Sequence, residues 1–315
     1  MFSISGRTQM TEPANTQTLQ RKKLIIELDD ALAKVQDGMT IGIGGFINSS
    51  HPMMVVRGLI KRGVKNLTVV GSASSGLEID LLIAAGCAAK VVAPYVGGEV
   101  LAPIGPAFRT AVEKGKVEVF ELDEAMFYAA LRAAAQRVPF NPWRSGVGTS
   151  FPDINPAIKV FKDPINGETL LAIPAINLDI AFLHAAVSDA YGNVQYVGHG
   201  YGDRAIYAAA DLTFVQVEQI VSNEEIRRDP LKTAIPGADG VIRARFGAHP
   251  YSSPGHYIED QEHIKQYVRA ATAWAKENDF APLKAYLDDF VMGPADHAAY
   301  LERVGIRRLL SLNEY

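Results

Sequence analysis

Cysteine occurs once in the 315 residues, at Cys87, so no internal disulfide framework braces the fold and a reducing, cytoplasmic setting is expected. A surplus of positive charge is also missing. Lys and Arg number 31 against 35 Asp and Glu, a net charge of −4, which offers no basic field for nucleic acid. No apolar run approaches the roughly 18 residues that a membrane-spanning helix needs, so no membrane partner is expected. Residues 1–20 lack a basic stretch followed by an apolar one. They read as a polar, flexible extension and not as a secretory signal, with 21–315 forming a single domain. No GxxxxGK[ST] phosphate loop occurs, and GIGGFI fails the dinucleotide fingerprint because Ile47 takes the place of the third glycine. Ser74 follows an apolar run in GSASSG, but the flanking glycines do not frame it as GxSxG, which sets a hydrolase triad aside. His249, His256 and His263 are evenly spaced, yet Pro250, Pro254 and Gly255 break any shared helix, so no metal site is expected.

Apolar residues make up 48% of the chain and charged residues 21%, which suits an ordinary globular core. Short apolar runs at 40–43, 67–70, 90–95 and 117–120 read as buried strands. Between them 52–62, 77–85, 107–114 and 124–136 read as helices, with Pro52 in a first turn and Gly63, Gly86 and Gly115 at helix ends. This alternation predicts an α/β fold with a mostly parallel sheet covered by helices on both faces. After a soft boundary near 139–156, a hairpin unit is expected at 158–174. Further core strands follow at 180–187 and 212–221, flanking a helix near 203–210. The C-terminal third reads as helical over 259–276, 281–291 and 295–304.

The stretch DGMTIGIGGFINSSHP, residues 37–52, carries the most chemical information. Two glycines at a strand end let backbone N–H groups approach a ligand, at the sheet edge where open α/β folds bind substrates. Such groups hold a developing oxyanion, a contribution of about 3 kcal/mol per donor. The structural alternative is a tight strand-to-helix turn with Phe46 packed into the core. Asp37, Gly38, Gly44, Gly45, Phe46 and Pro52 resemble the N-terminal signature of family I CoA-transferases. Gly42 and Ser50 depart from it, where the pattern prefers an apolar residue and a glycine. Segments 123–150, 188–194, 217–225 and 247–267 are similar to the branch formed by the A subunits of glutaconate CoA-transferases, so the resemblance spans about residues 24 to 290.

The resemblance implies covalent catalysis by a glutamate that attacks an acyl-CoA thioester, giving a mixed anhydride and then a glutamyl-CoA. It places that glutamate in a Glu-Asn-Gly segment of a B subunit or C-terminal half, and no Glu-Asn-Gly occurs here. A B-subunit partner in a hetero-oligomer is therefore implied, with coenzyme A as substrate and no permanently bound cofactor. The same resemblance assigns Gly44, Gly45 and Phe46 to the oxyanion and acyl site. Ser72, Ser74 and Ser75 are placed to bind a substrate carboxylate or to cap the helix before GLEIDLL. Glu99 is a candidate substrate contact or a solvated charge. Some relatives look like ring-opening CoA-thioester hydrolases in which an acid of the A subunit serves as base. On that alternative Glu124 would face a closed apolar site, and otherwise it is a helix-terminal acid, as is Glu121. Arg144 and His199 sit in glycine-rich loops and read as surface or structural groups. A metabolite-sensing binding module on the same sheet is the alternative outside enzymes, and no appended DNA-binding segment supports it.

Overall fold

The computed structural model describes residues 21–313, and the extension expected at 1–20 lies outside them. The strands are β1 (Thr40–Ile43), β2 (Leu67–Val70), β3 (Ala88–Val92), β4 (Glu118–Val119), β5 (Phe140–Trp143), β6 (Lys159–Lys162) and β7 (Thr169–Pro174). They continue as β8 (Leu178–Ser188), β9 (Asn193–Gln195), β10 (Ala210–Ile220), β11 (Thr233–Pro236) and β12 (Gly240–Arg243). Nine of them share one sheet, which runs β4-β3-β2-β1-β8-β10-β12 with every neighbour parallel. The short β9 and β11 add antiparallel pairs at the end of β8.

The strands read as continuous apolar runs because both faces of the sheet are covered. In β8, Ile180 and Phe182 point to a core shared with Ile41 and Ile43 and with the helices Met53–Arg62, Leu77–Ala84, Pro106–Glu113 and Gln261–Glu277. Ala181, Leu183 and Ala185 point the other way, to a core filled by the helices Glu124–Ala135 and Asp203–Ala209. Each fully buried side chain such as Phe182 or Ile43 contributes about 1.5–3 kcal/mol from leaving water.

The chain near 139–156 enters a separate three-stranded antiparallel sheet, β5-β7-β6, and then returns to the middle of the large one. The late strand β8 thus lies against β1, and the two sequence halves share one sheet. The strand expected at 90–95 begins earlier, as β3, and the last C-terminal helices include a π turn at Asp288–Met292. Strands β5, β9, β11 and β12 have no sequence signal of their own. β5 carries Pro142, and β12 is four residues beginning with a glycine. No helix among the described residues is long and apolar enough to cross a membrane.

Candidate active site

The loops that leave β1, β2, β3 and β12 meet at the carboxyl edge of the sheet and are laced by main-chain hydrogen bonds. Ile47 N–H donates to Ser74 O at 2.8 Å, Ser50 N–H to Ser252 O at 2.9 Å, and Ser75 N–H to Tyr95 O at 3.1 Å. Phe46 and Ser49 exchange a pair of 2.9 Å bonds, closing the turn. Ile47 and Ser50 both adopt the left-handed conformation, at φ 51° and 59°. For a β-branched residue that is a true outlier, and it marks strain held in place by the surrounding bonds.

The paired glycines follow from what flanks them. A Cβ on Gly44 would lie 2.6 Å from Asp203 Oδ1, and one on Gly45 2.5 Å from His51 Nδ1. The peptide between them is held on both edges. Gly44 O faces His51 Nδ1 at 2.9 Å, while Gly45 N–H donates to Asp203 Oδ1 at 2.9 Å. Oxyanion donors are expected at residues 44–46, but in this structure each of those amides has an acceptor within the chain. Gly44 N–H meets Phe182 O, Gly45 N–H meets Asp203, and Phe46 N–H meets Ser49 O, because closing the turn engages them. Phe46 is only partly buried and stacks on Tyr201, with ring centres 4.7 Å apart and planes within 8°.

Asp203 is a member of the candidate site that the sequence did not disclose. It begins a helix, is almost wholly buried, and also accepts a 2.7 Å bond from the Tyr196 hydroxyl. Burial pushes its carboxyl up to about 7, against the two hydrogen bonds. Burial likewise raises Glu78 to about 8, Asp80 to about 6 and Glu218 to about 7, and lowers His51 and His297 to about 4 and His184 and His263 to about 3. These shifts set a pH dependence with a definite sign. The raised acids keep protons that the unfolded chain releases, so they contribute stability that is lost as pH rises toward 7 and 8. The lowered histidines act oppositely, an effect that is largest below about 6.5, where unfolded histidine is mostly protonated, and fades above it. The urea midpoint should therefore fall between pH 6.5 and 8.5; a flat or rising midpoint would contradict these burial-driven shifts.

Ser72 and Ser75 are buried and Ser74 is partly so. Ser75 Oγ donates to Ser72 O at 3.1 Å, while Ser72 Oγ, like Asn48 Oδ1, has no partner among the described residues. Neither Ser74 nor Ser75 caps the helix that follows. Gly76 is its N-cap residue, and Gly76 N–H donates to Glu78 Oε1 at 3.0 Å. Glu99 is exposed in a left-handed conformation, its N–H on the Tyr95 hydroxyl. Glu124 stands exposed in the first turn of its helix, beside the capping Asp123. Tyr128, one turn further along the helix, is raised by burial and by the charges of Glu124 and Asp203. Glu121 and His199 are exposed, and Arg144 makes a two-pronged ion pair with Glu168 at 2.6 and 2.7 Å.

Two of the three spaced histidines do converge. His249, Asp260 and His263 bring ligand atoms within 4.8 Å, because a loop carries the first against a helix that carries the last. Those atoms already have protein partners. His249 meets Tyr300 and Asp260, His263 meets Tyr286, and Arg308 grips both oxygens of Asp260. A second buried group links His184 to Ser253 at 3.0 Å and to Gln216 at 2.8 Å. Glu218 approaches the same ring nitrogen as Ser253, at 3.4 Å, which is not the relay of a nucleophilic triad.

A model of the family described as Coenzyme A transferase matches residues 25–239. The chain is 36% identical over 290 residues to an uncharacterized protein of Archaeoglobus fulgidus, aligning 89% of itself with only 63% of that longer relative. It is 34% identical over 296 residues to the cholesterol ring-cleaving hydrolase IpdA subunit of Mycobacterium tuberculosis, covering 89% of this chain and 98% of that one. Identity to the A subunit of glutaconate CoA-transferase from Acidaminococcus fermentans is 31% over 307 residues, covering 91% and 94%. The crystal structure of that organism's glutaconate coenzyme A-transferase matches with a TM-score of 0.85 at 30% identity, over 92% of this chain and 96% of that one.

Proposed function

The chain belongs to the coenzyme A transferase family, and from that premise we propose that it is the A subunit of a two-subunit enzyme moving CoA between a small or medium acyl-CoA and a carboxylic acid. The observation that carries this reading is the strained turn at 44–50, fixed at the carboxyl edge of a parallel sheet where its backbone can meet a carbonyl. In this reading a partner B subunit brings a glutamate whose oxygen attacks the thioester carbon. Negative charge collects on the carbonyl oxygen, beside the turn, and the CoA thiolate leaves. The thiolate then adds back to the anhydride and releases the first acid, and a second carboxylate reverses the sequence. Gly44, Gly45 and Phe46 wall the acyl group, with Ser72, Ser74, Ser75 and Glu99 around the acid's carboxylate. Relatives named as the A subunits of glutaconate and 3-oxoadipate CoA-transferases, and as the alpha subunit of an acetate CoA-transferase, support the division of labour.

The test is co-expression with the neighbouring B-type gene and an assay of acetyl-CoA against glutaconate, 3-oxoadipate and succinate. Acyl exchange should require both chains, and robust exchange by this chain alone would defeat the reading. Glu124→Gln in the complex should leave acceptor-dependent exchange within about twofold. A loss of about 100-fold or more, with CoA released to water in the unaltered complex, would instead identify a hydrolase with Glu124 as base.

A further inference from the structure

His51 lies wholly buried beneath the turn, Nδ1 2.9 Å from Gly44 O and Nε2 2.9 Å from Ile47 O. A carbonyl oxygen only accepts, so each contact calls for an N–H, and a neutral imidazole has one. Glu78 stands next to the ring. Its Oε2 is 3.4 Å from His51 Nδ1, buried, and among the described residues otherwise without a hydrogen bond. With both groups in the neutral forms that burial favours, Glu78 Oε2–H turned toward Nδ1 leaves the ring's own N–H on Nε2, where it donates to Ile47 O. The Tyr251 ring, 4.7 Å away, closes the site.

The ring controls the direction of the peptides above it. In a trans peptide the C=O and N–H point opposite ways. Gly44 O turned down to His51 sends Gly45 N–H to Asp203, as observed. Ile47 O turned down to His51 sends Asn48 N–H outward, and that amide has no acceptor among the described residues. We infer that His51, paired with Glu78, is a positioning residue that fixes Asn48 N–H as the outward donor of the turn for the acyl oxygen. The inference rests on the transferase reading of the site.

The test uses the assembled two-subunit enzyme with acetyl-CoA and the same acids, together with hydrogen–deuterium exchange of peptides spanning 44–50. His51→Leu should lower kcat about 100-fold, the effect of losing one oxyanion donor, with KM within about twofold. Exchange in the turn should rise at least about tenfold. His51→Gln, which keeps a donor, should recover part of both. Glu78→Gln, nearly isosteric and able to keep the Gly76 contact, should lower kcat about tenfold, and it carries the test if His51→Leu does not fold. Unchanged kcat and unchanged turn exchange in either variant would overturn the inference, as would a loss confined to KM. If the unaltered complex shows no acyl exchange, the transferase reading fails and the donor role with it. The exchange data then decide the hold of His51 on the turn separately.

Discussion

Gly45→Ala is expected to abolish acyl transfer by the assembled enzyme and to lower stability by about 2–5 kcal/mol. Two effects combine. The residue sits at φ +103°, where an L side chain costs about 1–2 kcal/mol, and the new Cβ would stand 2.5 Å from a ring atom of His51. That ring is fully buried and tied to two carbonyls, so it has nowhere to retreat, and overpacking of this kind costs about 1–3 kcal/mol. Relief by moving the turn would swing Gly45 N–H off Asp203 and turn the neighbouring peptides away from the crevice. Gly63→Ala is the control. It too has a positive φ, +70°, but no atom lies within 4 Å of the added carbon, so it should show the backbone cost alone and full turnover. Urea unfolding and steady-state turnover of both variants decide the matter. A Gly45→Ala enzyme of normal rate would show that the turn takes no part in catalysis.

From the sequence, the glycine pair could be singled out as a candidate site but not explained. Apolar run and strand coincide at β1 and β2 because those segments are largely buried and rich in β-branched residues. The pair stands out because glycine at a strand end is locally unusual. What makes glycine necessary there is distant. Asp203 is 158 residues from Gly45 and looks in sequence like any acid in a helix's first turn. Glu78 is hidden the same way, inside LEIDLLIA, and His51 reads as a polar residue before Pro52 until its two carbonyl partners are seen. The spaced histidines show the reverse failure. Breaking the helix between His249 and His263 does not keep them apart, because a loop returns the first to the second. Local pattern thus reports the elements, while the partners of buried polar groups depend on how β8 and the later chain fold back against β1.

Asp203→Ala should be as damaging as the change at Gly45, for a different reason. It leaves Gly45 N–H and the Tyr196 hydroxyl buried without an acceptor, at about 1–3 kcal/mol each, and so costs about 2–6 kcal/mol. It also frees the Gly44–Gly45 peptide on the edge opposite His51, so turnover should fall even at temperatures where the fold persists. Asp203→Asn separates volume and hydrogen bonding from charge. The amide oxygen can still accept from Gly45, and the amide nitrogen can donate to the Tyr196 oxygen, so melting near pH 6 should stay close to the parent. The two should part as pH rises. In the parent, a carboxyl raised to about 7 contributes stability while it keeps its proton, and that contribution fades as pH climbs through 7. The asparagine has no proton to lose, so the variant should gain on the parent between pH 6 and 8.5 in paired urea titrations. A constant difference between the two over that interval would mean that Asp203 is ionised throughout, held so by its two donors despite its burial.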